Sequence, residues 1–290
     1  MILCKPAPRK GFHRTDLVIA ILIGLVFFGL FISWLNRTRV RDGVVRVQVQ
    51  NNFKQLALAC HSANDVFKRL PPAFDKFGKM NFPASVHVHL LPFIEQDNLY
   101  QKYLSQKGQG EEVTNIVIPS FIEKTDPSQN GGMGIQNVAA NLRIFSDKGF
   151  ETKFDANMPA LAAVEPGNAA IPRSFGDGTS NTIVFTSKYG QCQDGGSRYA
   201  ADPNSPFAAF FGQNAARKKA HPMDPTATFQ DQPTADQCLT TPLMAQSMAQ
   251  AGLHVSLGDG SVRTINPDIS PRTWNLLVHP NDGLELGEDW

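Results

Sequence analysis

The chain has 290 residues with a formal net charge of +1, and 42% of the residues are hydrophobic and 18% charged. This length is enough for one large domain or two small ones with a well-packed core, and the near-neutral charge gives no basic surface of the kind that binds nucleic acid, so we expect no nucleic-acid partner. Twenty Phe against four Tyr and three Trp indicate an apolar core rather than a sugar-stacking surface.

Near the N-terminus, Leu17 to Leu35 form a run of 19 uncharged residues, LVIAILIGLVFFGLFISWL. As a helix this run would span about 28 Å, close to the thickness of one hydrocarbon core. A removable signal peptide has a shorter apolar region of about 7–15 residues. The run therefore predicts a transmembrane stem over residues 12–36.

The residues just before this run have a distinctive order. Basic residues lead to Lys10-Gly11-Phe12, and Asp16 is the fifth residue counted from Phe12. This order resembles the N-terminus of type IV prepilins. The resemblance implies that a prepilin peptidase cuts the Gly11–Phe12 bond and removes a basic leader, residues 1–11. It also implies that Asp16 pairs with the freed amino group of a neighbouring subunit, since a carboxylate in an apolar helix is costly to bury without a cation.

The stem also departs from the prepilin pattern. Asp16 replaces the usual glutamate, His13 and Arg14 stand where small or apolar residues are usual, and the proline that often kinks the pilin stem is absent. An uncleaved single-pass anchor is the alternative interpretation.

An apolar stripe follows the stem. Its members recur at spacings of three and four: Val45, Val49, Phe53, Leu56, Cys60, Ala63, Phe67 and Leu70. The spacing predicts a helix over 49–69, part of an amphipathic continuation over 37–70 that ends at Pro71-Pro72. The β-branched alternation over 45–50 instead indicates a strand, and Asp42-Gly43 is a candidate break.

Four blocks carry a second resemblance. They read QNNFKQLALACHSANDVFKRLPPAF, ASVHVHLLPFIEQDNLYQKY, SFGDGTSNTIVFTSKYG and LHVSLGDGSVRTINPDISPRTWNLL. Together and in this order they resemble a large bacterial family of prepilin-type proteins of unknown function. The family motifs fall here on Asn51, Asn52, Pro71 and Pro72 and on the two Asp-Gly segments. The family usually has a His ten residues before the second Asp-Gly, where this chain has Ala249.

The resemblance and the patterns together predict an α+β, pilin-like fold. We expect a long N-terminal helix, transmembrane in its first part, to pack on an antiparallel β-sheet with loop-rich insertions. The apolar stripe of the helix is expected to lie against this sheet. Residues 71–290 would form an extracytoplasmic globular domain.

Two Asp-Gly segments predict tight turns. Asp259-Gly260-Ser261 lies between two alternating runs, which is typical of a hairpin whose turn needs a positive φ. The second segment is Asp177, Gly178, Thr179, Ser180, Asn181 and Thr182, followed by a predicted strand over 183–186. Either aspartate could bind a cation, but we favour the structural alternative, in which the side chains bond to turn amides.

The cysteines give one candidate disulfide. Cys192 and Cys238 both lie in loop-like sequence and could pair in an oxidising compartment, closing a loop of about 45 residues and stabilising by roughly 4 kcal/mol. Two unpaired thiols are the alternative.

Few residues have the spacing of a chemical site. His87 and His89 would share a face of a strand and could bind a metal together, but no third ligand is near in sequence. Cys60 and His61 point about 100° apart on a helix and cannot act as a pair. No hydrolase, zinc-protease or phosphate-loop motif occurs. We therefore expect no catalytic residue, no metal and no cofactor, and the acidic segment 282–289 to be solvated or a terminal cap.

These expectations lead to a non-enzymatic, pilin- or pseudopilin-like structural protein. It would be a single-pass protein of the cytoplasmic (inner) membrane with its globular domain on the periplasmic side. Its expected partners are the membrane, a prepilin peptidase and other pilin-like subunits. The alternative is an anchored extracytoplasmic module that binds a glycan or a metal and does not assemble into filaments.

Overall fold

The computed structural model describes residues 14–128, 134–146, 166–193, 195–203, 205–212, 228–234, 237–238 and 244–290. The predicted cleavage residues Gly11 and Phe12 lie outside these ranges, and so does the side chain of Asp16. The chain divides into two compact units, one up to Val47 and one from Gln48 to Trp290.

The described helices are α1 (Arg14–Phe67), α2 (Val86–Leu90), α3 (Asp97–Ser105), α4 (Glu111–Thr114), α5 (Leu142–Phe145) and α6 (Pro271–Val278), with 3-10 turns at Leu91–Ile94, Pro119–Phe121 and Thr179–Asn181. The described strands are β1 (Phe74–Asp75), β2 (Ala84–Ser85), β3 (Val138–Asn141), β4 (Ile183–Ser187), β5 (Gln191–Cys192), β6 (Gly195–Gly196), β7 (Phe210–Phe211), β8 (Gln230–Asp231), β9 (Gln246–Ser247), β10 (Leu253–Leu257) and β11 (Val262–Ile265). The α+β class is confirmed.

In the first unit, α1 carries large apolar side chains that are exposed. Between Leu17 and Phe31 their exposed fractions run from 51% to 67%. In the described parts of the chain, none of the helices combines the length and the apolarity needed to cross a membrane.

In the second unit, α1 continues to Phe67. The strand indicated over 45–50 is wrong, because these residues are helical; the predicted break at Asp42-Gly43 is also wrong, since the helix includes both. The β-branched alternation over 45–50 is short, and the helical spacing of the apolar stripe through the same residues favours a helix instead. The helix ends where Lys68 takes a left-handed φ of 58°, just before Pro71.

The apolar stripe is buried from Val49 to Ala63. Phe53 is 1% exposed, and its ring centroid lies 6.5 Å from that of His254 on β10. The expectation that the stripe packs on the chain's own sheet is therefore confirmed at this point. Phe67 departs from the pattern, since 38% of it remains exposed.

The main sheet has five strands in the order β11-β10-β4-β3-β7. The first four pair antiparallel, as predicted, whereas β7 departs from the prediction, because it pairs with β3 in parallel. Three short two-stranded pairs, β1-β2, β5-β6 and β8-β9, lie outside it.

Both faces of the sheet are covered. Val255 of β10 belongs to an apolar cluster with Trp274 and Leu277 of α6, whereas its neighbour His254 faces Phe53 of α1. This arrangement explains why all of β10 is buried although LHVSL alternates apolar and polar residues. The polar face that a one-sided sheet would show to water is instead under α1.

Candidate functional site

The two Asp-Gly segments, far apart in sequence, meet in the structure. The main-chain N–H of Gly258 donates to Thr182 O over 3.0 Å, and that of Asp259 donates to Thr179 O over 3.0 Å. The predicted hairpin is confirmed, with Leu253 opposite Ile265 and His254 opposite Thr264. The two turns are thus hydrogen-bonded to each other at the end of the sheet where β4 begins and β10 ends.

The first turn holds a distant segment in place. Asp177 accepts hydrogen bonds from the N–H groups of Asp282 (2.7 Å) and Gly283 (2.8 Å). Inside the turn, Asn181 Nδ2 donates to the carbonyl of Asp177, and Thr182 Oγ1 donates to that of Gly178. Gly178 has a φ of 101°, which favours glycine. The Asp177 carboxylate is therefore engaged with amides, which is the structural alternative stated above.

The second turn is a local one. Asp259 accepts from the N–H of Ser261 over 2.8 Å, and Gly260 has the positive φ, 86°, that the hairpin prediction requires. Asp259 is exposed. Its carboxylate therefore stabilises its own turn.

Polar side chains of α1 bind three loops. Asn52 Nδ2 donates to the carbonyls of Pro119 and Ile122, and His61 Nε2 lies 2.9 Å from Gly258 O. Asn64 bonds the main chain of Ile171 in both directions, at 3.1 and 3.0 Å. These residues flank the apolar stripe, a signal visible in the sequence.

The other motif residues on and after α1 differ in their exposure to solvent. Asn51 is exposed, whereas Pro71 and Pro72 are buried directly after the helix. Cys60 is a buried free thiol, and burial raises its pKa. Its neighbour His61 instead bonds to the carbonyl of Gly258, so the two side chains lie in different environments.

The strand prediction for His87 and His89 is wrong. Both lie on α2, whose N-terminus is capped by Ser85, and both are buried. His87 Nε2 donates to Val138 O over 2.9 Å and His89 Nε2 to Asp75 O over 2.8 Å, so the two rings have separate partners. Burial lowers the pKa of His87 to about 3 and of His89 to about 4, hence both are neutral near pH 7.

A buried polar cluster lies between α1 and the sheet, and the sequence reasoning missed it. Glu123 accepts from Ser187 Oγ (2.6 Å) and Thr125 Oγ1 (2.8 Å), and its Oε1 lies 3.2 Å from Nδ1 of His254. In a catalytic triad the histidine stands between the nucleophile and the carboxylate. Here the carboxylate stands in the middle, so the histidine does not activate the serine.

A second part of this cluster surrounds Asp126 and Lys188. Asp126 Oδ2 accepts from Asn137 Nδ2 over 2.6 Å and from the N–H of Gly190 over 3.0 Å. Lys188 Nζ donates to Ala208 O over 2.6 Å, and burial lowers its pKa to about 7. These contacts satisfy main-chain groups of loops, which is a structural use of buried polar residues. The loop around Glu123 has no periodic pattern that could have revealed it.

The candidate disulfide is present. Cys192 and Cys238 are bonded, with their Cα atoms 5.5 Å apart, and pack with Tyr189 and Met248. Among the described residues, no group of three or more His, Cys, Asp or Glu side chains could hold a metal ion.

A concave site lies beside the C-terminal end of α1, and we call it the aromatic cleft. Its volume is about 120 Å³, and it is lined by Phe67, Phe77, Gly78, Lys79, His89, Pro92, Phe93, Asp97, Tyr100 and Gln101. The Phe67 ring lies edge-on to Phe77, with centroids 4.5 Å apart, and edge-on to Phe93 at 6.5 Å. A Cβ at Gly78 would come within 3.0 Å of the Phe67 ring, so this glycine allows the close approach.

Residues 41–272 match the model of a family described as a protein of unknown function, DUF1559 (SBP_bac_10). The match covers most of the chain, and the chain belongs to this family. No curated protein and no solved structure gives a significant match to the chain.

Proposed function

We propose that the protein is a membrane-anchored, non-enzymatic subunit of the type IV pilin or pseudopilin kind. Helix α1 carries the proposal. Its apolar side chains are exposed all along 17–31, whereas from Val49 to Ala63 they form one buried stripe. A helix that is apolar on all sides is compatible with lipid, whereas a helix with a single apolar stripe packs that stripe on the protein core.

The buried polar cluster supports a non-enzymatic role. Glu123, Ser187 and His254 are all almost completely buried, and their bonds run serine to carboxylate to histidine. Such a chain of bonds fixes the loop at Glu123 to β4 and β10.

The leader gives the proposal its most direct test. The full chain is co-expressed with a prepilin peptidase in a bacterial host, and the intact mass of the membrane-extracted product is measured. Loss of residues 1–11 in the wild type and retention of these residues in Gly11→Val are expected. An uncut wild-type chain in the presence of an active peptidase, with a known prepilin cleaved in parallel as control, contradicts the subunit role and favours the plain anchor.

The anchor is tested separately. After cell lysis without detergent we expect the chain in the membrane fraction, resistant to carbonate extraction. Protease added to spheroplasts should degrade the second compact unit, Gln48 to Trp290, which we call the body. Recovery of the intact chain in the soluble fraction, or protection of the body from added protease, would contradict both the anchor and its orientation.

An anchored binding module that does not assemble is a second candidate, and the aromatic cleft favours it. His13, Arg14 and Asp16 place charged or polar groups at the start of the stem, where pilin subunits pack together. Electron microscopy of cells that express the processed chain separates the two roles. Filaments that contain the chain support the subunit, and processed chain without filaments supports the module.

A further inference from the structure

The aromatic cleft has the features of a small-ligand site. Such sites are concave, mostly apolar and equipped with a few converging polar groups. Phe67, Phe93 and Tyr100 supply apolar walls, whereas Asp97 and Gln101 stand exposed at the rim. We propose that this cleft binds one pyranose ring of a carbohydrate, and this holds whether or not the chain assembles into filaments.

The walls fit the faces of a sugar ring. A pyranose presents C–H groups on its faces and hydroxyls around its edge, and aromatic rings offer large apolar surfaces for such faces. The cleft volume of about 120 Å³ is of the order of the ~150 Å³ cavity that admits benzene in an engineered protein. It is also partly open to solvent, so the hydroxyls of a ring seated there would reach the rim.

The rim offers several hydrogen-bonding groups. Asp97 and Gln101 are one helical turn apart on α3, and Gln101 Nε2 donates to Asp97 Oδ1 over 3.3 Å. This pair presents a carboxylate that accepts and an amide that both donates and accepts, and Lys79 adds an ammonium donor. Vicinal hydroxyls, which donate and accept at once, match such a mixed set.

His89 contributes to the wall of the cleft. Its Nε2 donates to Asp75 O, and burial lowers its pKa to about 4, so the ring is neutral near pH 7. Its Nδ1 is also buried and lies out of reach of a ligand in the cleft, so the rim groups supply the hydrogen bonds to the sugar hydroxyls.

Two other ligand classes fit less well. A cation would meet Lys79 at the rim, and the Arg69 guanidinium already lies 5.2 Å from the centre of the Phe77 ring. An unsubstituted aromatic ring would fill the walls but leave the rim groups without new partners.

The test uses the full chain in phosphatidylcholine nanodiscs, because glycoside detergents would themselves present a sugar. Saturation-transfer NMR is recorded with methyl β-D-glucopyranoside, methyl β-D-galactopyranoside and N-acetylglucosamine, and with p-cresol and tetramethylammonium as the aromatic and cationic probes. We expect binding of at least one pyranose, with stronger transfer to ring C–H protons than to the methyl group.

Variants locate the binding. Gln101→Ala and Phe93→Ala should each weaken pyranose affinity about fivefold or more, as expected for the loss of one hydrogen bond or one wall. Asn98→Ala, exposed on the same helix but outside the cleft, is the matched control and should leave affinity unchanged. Thermal unfolding of each variant checks folding, and Gln101→Ala removes only an exposed side chain, so it keeps the test valid if Phe93→Ala is unstable.

Three outcomes would overturn the proposal: no transfer to any of the three pyranoses, equal affinity in Gln101→Ala and Asn98→Ala, or binding of p-cresol or tetramethylammonium in preference to every sugar. None of these outcomes depends on cleavage at Gly11, so the failure of this proposal is distinguishable from the failure of the subunit role.

Discussion

The two parts of α1 are both rich in apolar side chains, but these side chains are exposed in the first part and form a buried stripe in the second. Over 17–31 large apolar side chains are exposed on every side of the helix, whereas over 49–63 the stripe is buried and its flanks carry Asn52, His61 and Asn64. Secondary structure alone is therefore a poor guide to environment. The distribution of apolar residues around the helix carries the distinction.

Truncation of the buried stripe should give the largest effect. We expect Phe53→Ala to lower the free energy of unfolding of the body by about 3–5 kcal/mol, because it leaves a cavity between α1 and β10. Phe27→Ala, whose side chain is 67% exposed, is the control and should leave that free energy unchanged. Denaturant unfolding in detergent, followed by near-ultraviolet circular dichroism, measures both. Equal effects would remove the contrast between the two parts.

A lysine scan distinguishes lipid from water as the surroundings of exposed residues. Leu25 and Leu58 are exposed to similar extents, 61% and 51%. In a membrane span, Leu25→Lys should cost about 3 kcal/mol of insertion and reduce the membrane-bound fraction, whereas Leu58→Lys should cost nothing measurable. Fractionation and immunoblotting of both variants give the answer. If Leu25→Lys stays fully bound, the anchor assignment is weakened.

Acid should destabilise the body through its buried histidines. The folded-state pKa of His89, about 4, lies below the ordinary value of 6.5, because burial disfavours the charged ring. The unfolded chain thus binds more protons between these values, so this contribution to stability is fully present above pH 6.5 and is lost as pH falls toward 4. The loss should be on the order of 3 kcal/mol by pH 4. His89→Gln should show a smaller loss between pH 7 and 4; an unchanged profile would assign the acid sensitivity elsewhere.

The smallest effect concerns the polar flanks of α1. Asn64→Ala leaves the N–H and C=O of Ile171 without their partner and should cost about 1–3 kcal/mol. Asn51→Ala, at an exposed position, should change stability by less than about 0.5 kcal/mol. Thermal unfolding compares the pair, and the reverse ranking would show that the loop contacts of α1 are not what stabilises the body.

The sequence predicted the parts of the fold that depend on local chemistry. The β10-β11 hairpin followed from Asp259-Gly260 between alternating runs, and the helix predicted over 49–69 from its apolar spacing is observed to end at Phe67. His87 and His89 were misplaced, since five residues of VHVHL alternate like a strand and only the cap at Ser85 and the burial around them select a helix.

Features that depend on long-range pairing could not be predicted. The parallel β3-β7 contact and the meeting of Glu123 with His254 join residues about 70 or more apart, with no local signal. Five of the ten residues that line the aromatic cleft lie within a block already recognised as a motif, PFIEQDNLYQ. The walls of the cleft come from α1, α3 and the loops after β1 and around Pro92, and no periodicity links these.

The strand order has a consequence for how the chain matures. The neighbouring strands β4 and β10 are separated by about 65 residues and can pair fully only after Leu257 has been synthesised. Until then, α1 of the nascent chain lacks part of the surface against which its stripe packs. Folding of the body is therefore a late event of biosynthesis, and holdase chaperones have a long interval in which to engage it.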